Sequence, residues 1–271
     1  MPDTQLRRTR VHGVDFSGAK DAGRKVWVAS GTLGGDVLRI EDCRPAEYLA
    51  GGGRDRASCL QALVDFIEGQ PDAAVGLDFP FGLPRELVKD GSWETFIAGF
   101  SRRYETAEDF KESCFQAAGG GELKRRTDRE SRTPFSAYNL RLYKQTFYGI
   151  RDVLAPLIER AAARVLPMQK PDVGKPSVLE ICPASTLRRE GLSLSYKGRS
   201  PKHLEGRRLI LQSLEPRVVV PEGIARKALD DHKGDVIDSI IAAYAAPRAP
   251  VDTTDPRADD NDYLLEGRVY V

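Results

Sequence analysis

No stretch of this chain is apolar over the roughly 20 residues a membrane-spanning helix needs. The segment from Met1 to Arg10 is polar and lacks the apolar run of a secretory leader. Cysteine is scarce and scattered, at Cys43, Cys59, Cys114 and Cys182. No two form a C-x-x-C pair, which argues against a zinc site, and a disulfide framework does not suit a chain of this size and cysteine density. There is no excess of charge of one sign, with 41 Lys and Arg against 40 Asp and Glu. The chain as a whole therefore lacks the footprint of a strongly basic nucleic-acid binder, and any such binding needs a local basic face. Neither an internal repeat nor a low-complexity block is present. The expectation is a cytoplasmic protein without membrane association, and nothing in the sequence speaks to oligomeric state.

What is present is the balance of a globular protein: 271 residues, 41% hydrophobic and 30% charged. One domain over residues 1–271 is expected. Residues 11–16, 25–31 and 36–41 read as strands joined by short Gly-rich links, which implies an antiparallel meander. Residues 56–68 place Leu60, Leu63, Val64 and Ile67 at helical spacing, and Pro71 stops the pattern. Residues 73–79 are a continuous apolar run, the mark of a buried parallel strand. The order is thus β-β-β-α-β.

Residues 85–166 read as a helical insertion, clearest over 136–163, where Leu140, Tyr143, Phe147, Ile150, Leu154 and Ile158 make one stripe. Within it, the polar stretch 119–134 reads as an exposed loop. Residues 177–182 resume a strand, 202–214 and 234–246 are helical, 247–262 read as a loop and 263–271 as a last short strand.

Three strands end alike, in Asp15-Phe16-Ser17-Gly18, Asp78-Phe79-Pro80-Phe81-Gly82 and Glu180-Ile181-Cys182-Pro183. An acid at the end of an apolar strand is costly unless paired or bound to a metal, and the carboxyl ends of parallel strands are where open α/β sheets bind ligands. Asp235 and Asp238 add two acids on one face of the last long helix. Clustered carboxylates suit hard ions such as Mg²⁺ or Mn²⁺, and two such ions can assist phosphodiester cleavage. Asp15, Asp78, Glu180, Asp235 and Asp238 are therefore the candidate catalytic residues, with Asp15, Asp78, Asp235 and Asp238 as metal ligands. Blander roles stand beside these: a turn or cap for the strand-end acids, an Arg partner for Glu180, the helix dipole for Asp235, and a solvated face for Asp238.

VHGVDFSGAK, GLDFPFGLP, LEICPAS and DHKGDVIDSIIAAYAA resemble, in sequence and in order, the family called domain of unknown function 429, regarded as predicted ribonuclease H-like nucleases. The resemblance runs from about residue 11 to Glu266-Gly267. It implies a ribonuclease H-like α/β fold: a mixed sheet, antiparallel meander then parallel strands, with flanking helices and the insertion. It also implies the acids Asp15, Asp78, Asp235 and Asp238, with Glu180 matching the family's own strand motif. An Arg-x-x-Asp-like element of the family falls on Arg125, Arg126 and Asp128, where guanidinium groups would meet substrate phosphate; a solvated charge run is the alternative. Lys197, Arg199 and Lys202 form a second basic cluster with the same two readings. His12, His203 and His232 are isolated, though His232 precedes the Asp235 helix closely.

The reading is a metal-dependent nuclease acting on RNA, DNA or a hybrid. One alternative is a phosphotransferase of the actin and sugar-kinase type, since DFSGAK, with Ser17 and Lys20, resembles that class's first phosphate loop. Against it, the chain shows no second copy of the lobe. The other alternative is a non-catalytic nucleic-acid-binding protein, which clustered carboxylates disfavour.

Overall fold

The computed structural model describes residues 9–192, 194–248 and 260–271. β1 (Arg10–Asp15), β2 (Trp27–Gly34) and β3 (Val37–Pro45) form the antiparallel meander that the short links imply. The helix α1 (Arg56–Glu68) starts where the Asp55 carboxylate accepts the Ser58 N–H at 3.0 Å, and buries Leu60, Leu63, Val64 and Ile67. It leads into β4 (Ala74–Leu77), which lies parallel to β1 on the side away from β2.

Between β4 and β5 (Arg164–Leu166) the chain forms the helical insertion. It holds α2 (Trp93–Arg103), α3 (Ala107–Ala117), α4 (Arg126–Glu130), α5 (Tyr143–Gly149), a π-helical stretch (Ile150–Leu154) and α6 (Ala155–Glu159). After β6 (Ser177–Ile181) come α7 (Pro183–Arg189), α8 (Pro201–Leu214), β7 (Val218–Val219), α9 (Glu222–Asp230), α10 (Asp235–Ala245), α11 (Asn261–Glu266) and β8 (Val269–Tyr270). The eight-stranded sheet runs β5-β6-β4-β1-β2-β3-β7, and β8 continues the edge beside β6. A meander followed by parallel strands, with helices on both faces, is consistent with a ribonuclease H-like arrangement.

Successive side chains on a strand point to opposite faces. Val14, Val75, Leu77 and Val178 face α1 and the insertion, whereas Val11, Ala74, Leu179 and Ile181 face α10 and its neighbours. On the α10 face Gly13 and Gly76 stand side by side in register. A Cβ on Gly13 would lie 2.0 Å from the Ala243 nitrogen, and one on Gly76 would lie 2.6 Å from the Ala242 carbonyl oxygen. The two glycines form a slot into which the Ala-rich side of α10 sinks onto the sheet.

Several expectations are corrected. The stretch 119–134 is not an exposed loop: it contains α4, and Arg125, Thr127 and Asp128 are buried, because Arg125 finds carboxylates inside. The helix expected over 136–163 begins at Tyr143, and Leu140 is 72% exposed rather than on the buried stripe. The reason is a turn in which the Asn139 carbonyl accepts the Leu142 N–H and its side chain accepts the Arg141 N–H. In the expected last strand, 263–266 belongs to α11 and only Val269–Tyr270 is extended. Of the loop expected over 247–262, residues 249–259 lie outside the described residues. The short β5 and β7 and the helices α7 and α9, with few apolar residues each, escaped the sequence reading.

Candidate metal centre

Asp15 is the last residue of β1, and Asp78 follows β4 directly. Each stands two residues beyond its glycine of the slot, so alternation sends both carboxylates to the α10 face. The Asp78 N–H donates to the Val14 carbonyl at 3.0 Å, which holds the two strand ends level. Asp238, one turn into α10, is carried by the slot over the same point. Carboxylate oxygens from Asp15, Asp78 and Asp238 all lie within 4.8 Å of one another. Asp15 is 9% exposed and Asp238 1%.

Three acids so close, with Asp15 and Asp238 buried and Asp78 half-buried, resist ionisation. Burial, then Asp238, Asp78 and Asp235, push the Asp15 carboxyl well above its usual range. Burial and Asp238 push Asp78 up to about 8. Burial raises Asp238 as well, against the pull of Lys197. The Lys197 ammonium lies 2.5 Å from Asp238 Oδ2, and the Tyr196 hydroxyl donates to Asp238 Oδ1 at 2.5 Å. Burial alone would lower Lys197, but Asp238, Asp15 and Asp78 raise it. The loop carrying both residues is fixed from behind. Buried Arg207 donates to the carbonyls of Tyr196 at 2.6 Å and Gly198 at 3.0 Å, and the Gly198 N–H donates to the His232 carbonyl at 2.7 Å.

The acids open into a cavity of about 350 Å³. Its floor is the ends of β1, β4 and β6; its walls are the start of α7, the Tyr196–Lys197 loop and the insertion segment from Thr133 to Gln145.

Glu180 also borders this cavity but does not join the three acids. It is in register with Leu77, and so points to the insertion face. There Arg125 meets it with a two-pronged pair: Nη1 donates to Oε2 at 2.8 Å and Nη2 donates to Oε1, while the Phe81 N–H donates to Oε2 at 2.9 Å. Burial pushes the Glu180 carboxyl up, against the pull of Arg125. Arg125 spends its remaining donors on Asp128 Oδ2 at 3.0 Å, Asp128 Oδ1 at 2.8 Å and the Glu266 carbonyl at 3.1 Å. With all five N–H groups engaged and 1% exposure, Arg125 is a clamp between insertion and sheet, with no donor left for a phosphate. Asp128 is likewise consumed, accepting also from Thr133 Oγ1 at 3.2 Å.

Asp235 sits at the first position of α10, half-buried and outside the group of three. Burial, then Asp231, push its carboxyl to about 6. Ser17, Lys20 and Arg126 are not among the described residues lining the cavity. Ser17 Oγ accepts the Ala19 N–H at 3.4 Å, Lys20 is exposed, and Arg126 pairs with Asp260 at 2.6 Å and Glu130 at 2.9 Å.

Tyr196, Phe135, Arg141 and Gln145 border the cavity without having drawn notice in the sequence, and Lys197 stood out only within a basic cluster. Strand alternation separates Glu180 from Asp15 and Asp78 only once the register of β6 against β4 is known, and that register is set by the tertiary structure. For the insertion residues no periodic signal exists.

The acids themselves lie in the motifs that suggested a family. No curated protein and no solved structure matches the chain. One family's sequence profile does match it, over residues 13–262, and the chain belongs to that family, described as protein of unknown function (DUF429).

Proposed function

We propose that this protein is a divalent-metal-dependent nuclease that hydrolyses phosphodiester bonds at the carboxylate cluster. One observation carries the reading: three carboxylates from three elements bring oxygens within 4.8 Å of one another at the floor of a cavity. Holding Asp15, Asp78 and Asp238 so close costs stability through their mutual repulsion, a cost that a bound cation would offset. Their all-oxygen donor set fits a hard ion, Mg²⁺ or Mn²⁺. Such an ion would supply Lewis acidity toward a phosphoryl oxygen.

The chain's own residues do the rest. Tyr196 fixes the Asp238 carboxylate by its hydrogen bond, leaving the other oxygen toward Lys197. The Lys197 side chain, 55% exposed, places a positive charge at the rim, where a phosphate entering the cavity meets it. Phe79, Pro80, Leu142 and Ile181 give the cavity an apolar lining beside the acids. Nucleic acid, RNA or DNA, is the substrate in this reading. The phosphotransferase alternative gains no support from Ser17 and Lys20, which are not among the described residues lining the cavity. No helix among the described residues is long and apolar enough to cross a membrane.

The test is cleavage of labelled single-stranded, duplex and hybrid substrates with Mg²⁺ or Mn²⁺, comparing the parent with Asp15→Asn. Asn keeps the shape and loses the charge that holds a hard cation. Cleavage by the parent and its loss in folded Asp15→Asn are expected, together with loss of the Mn²⁺-induced rise in Tm. A folded parent that cuts none of the three, and whose Tm ignores Mn²⁺, overturns the reading.

A further inference from the structure

Phe135 and Arg141 form a wall of the cavity that the metal chemistry does not use. The Arg141 guanidinium lies 5.4 Å from the centroid of the half-buried Phe135 ring. Among the described residues it makes no ion pair and no side-chain hydrogen bond, whereas Arg125 is held by two carboxylates and Arg126 by three. The backbone that carries the pair is pinned: the single Thr133 hydroxyl proton is shared between Asp128 and the Phe135 carbonyl, each at 3.2 Å, and Glu122 accepts from Ser136 Oγ at 2.9 Å and from Asn139 Nδ2 at 2.7 Å. A flat ring and a flat unspent cation, held on a fixed turn and facing a cavity, form a stacking platform.

The remaining lining is chiefly apolar and includes Phe79, Pro80, Pro134, Leu142 and Ile181. Such a lining suits the face of a base and the apolar side of a sugar. The volume, about 350 Å³, lies near the low end of the range for small-molecule sites, on the order of 300–1,000 Å³. It has room for one nucleotide. A base stacked inside a duplex has no free face to offer, whereas unpaired bases are held on aromatic rings and guanidinium planes.

We infer that the cavity accepts a single unpaired nucleotide of a nucleic-acid strand, its base laid against Phe135 and Arg141 and its phosphate toward Asp15, Asp78, Asp238 and Lys197. This rests on the nuclease reading and narrows it to single-stranded or frayed substrate.

The experiment is equilibrium binding to the intact protein in Mn²⁺, using adenosine 5′-monophosphate, ribose 5-phosphate, a labelled single-stranded hexamer and a blunt hairpin of the same sequence. The nucleotide is expected to bind about tenfold or more tighter than ribose 5-phosphate, and the hexamer about tenfold tighter than the hairpin, the scale that a stacked base contributes. Phe135→Ala and Arg141→Ala remove most of both differences. Phe135→Leu, which keeps apolar volume without a ring, does the same if the alanine variant fails to fold. Equal affinity for nucleotide and sugar phosphate, or tighter binding of the hairpin, overturns the inference. Hairpin cleavage with no preference for a free base overturns it while leaving the nuclease reading intact. A base preference without cleavage of any substrate supports the platform and counts against the nuclease.

Discussion

Lys197 Nζ lies 2.5 Å from Asp238 Oδ2, the only cation paired with the three clustered acids among the described residues. The ammonium offsets part of their mutual repulsion, and it stands where a bound divalent ion would compete with it. Lys197→Gln is therefore expected to lower the Tm of the metal-free protein at pH 8. It should also enlarge the rise that Mn²⁺ produces, because the ion no longer meets a resident positive charge. Thermal denaturation with a chelator and with Mn²⁺ measures both; a Tm unchanged at pH 8 would remove Lys197 from the charge balance.

The acids also set a pH dependence. Unfolded, Asp78 releases its proton near 3.8; folded, it holds it to about 8. Between these values the folded chain binds more protons than the unfolded one, so the contribution to stability falls as pH rises through the window and stays lost above it. In a chelator, Asp78→Asn should match the parent near pH 4 and exceed its Tm by a few degrees at pH 8. With Mn²⁺ at pH 8 the order should reverse, since only the parent holds the ion. A variant that melts below the parent at pH 8 without metal would show that repulsion is not the dominant effect.

Glu180 and Asp238 should separate cleanly. Glu180→Gln leaves the buried Arg125 with a reduced set of charged partners, a change that costs about 3–5 kcal/mol when a buried pair is broken. The Mn²⁺ response should survive it. Asp238→Asn should abolish that response and spare most of the stability. Urea denaturation with and without Mn²⁺ decides the matter, and loss of the metal response in Glu180→Gln would add Glu180 to the ligand set.

The glycine slot ties fold to site. Gly13→Val would place side-chain atoms where the Ala243 nitrogen and Ser239 carbonyl already stand, at 2.0 and 2.2 Å from the new Cβ. These are backbone atoms, so relief requires α10 to rise from the sheet. The expected loss is at least about 3 kcal/mol, the upper end of overpacking, and the Mn²⁺ response should go with it because Asp238 moves. A Gly13→Val protein of parental stability and unaltered metal response would refute the slot.

How far the sequence reaches can be read from particular residues. Its strand patterns, the helix 56–68 and the apolar face of the last long helix depend on local spacing, and local spacing survives folding because burial acts on each element's own face. Acids ending the strands, and the family motifs that hold them, were legible for the same reason. The tertiary structure decided which acids meet. Alternation turned Asp15 and Asp78 toward α10 and Glu180 away from it, and the Gly13–Gly76 slot brought Asp238, rather than Asp235, into the group. Arg125 read as a solvated charge or a phosphate ligand because an arginine in a charge run gives no sign of the acceptors that surround it: Asp128, Glu180 and the Glu266 carbonyl, which lie 3, 55 and 141 residues away along the chain. Phe135 and Arg141 became a wall only when the insertion folded back over the strand ends, a long-range packing event that no local pattern encodes.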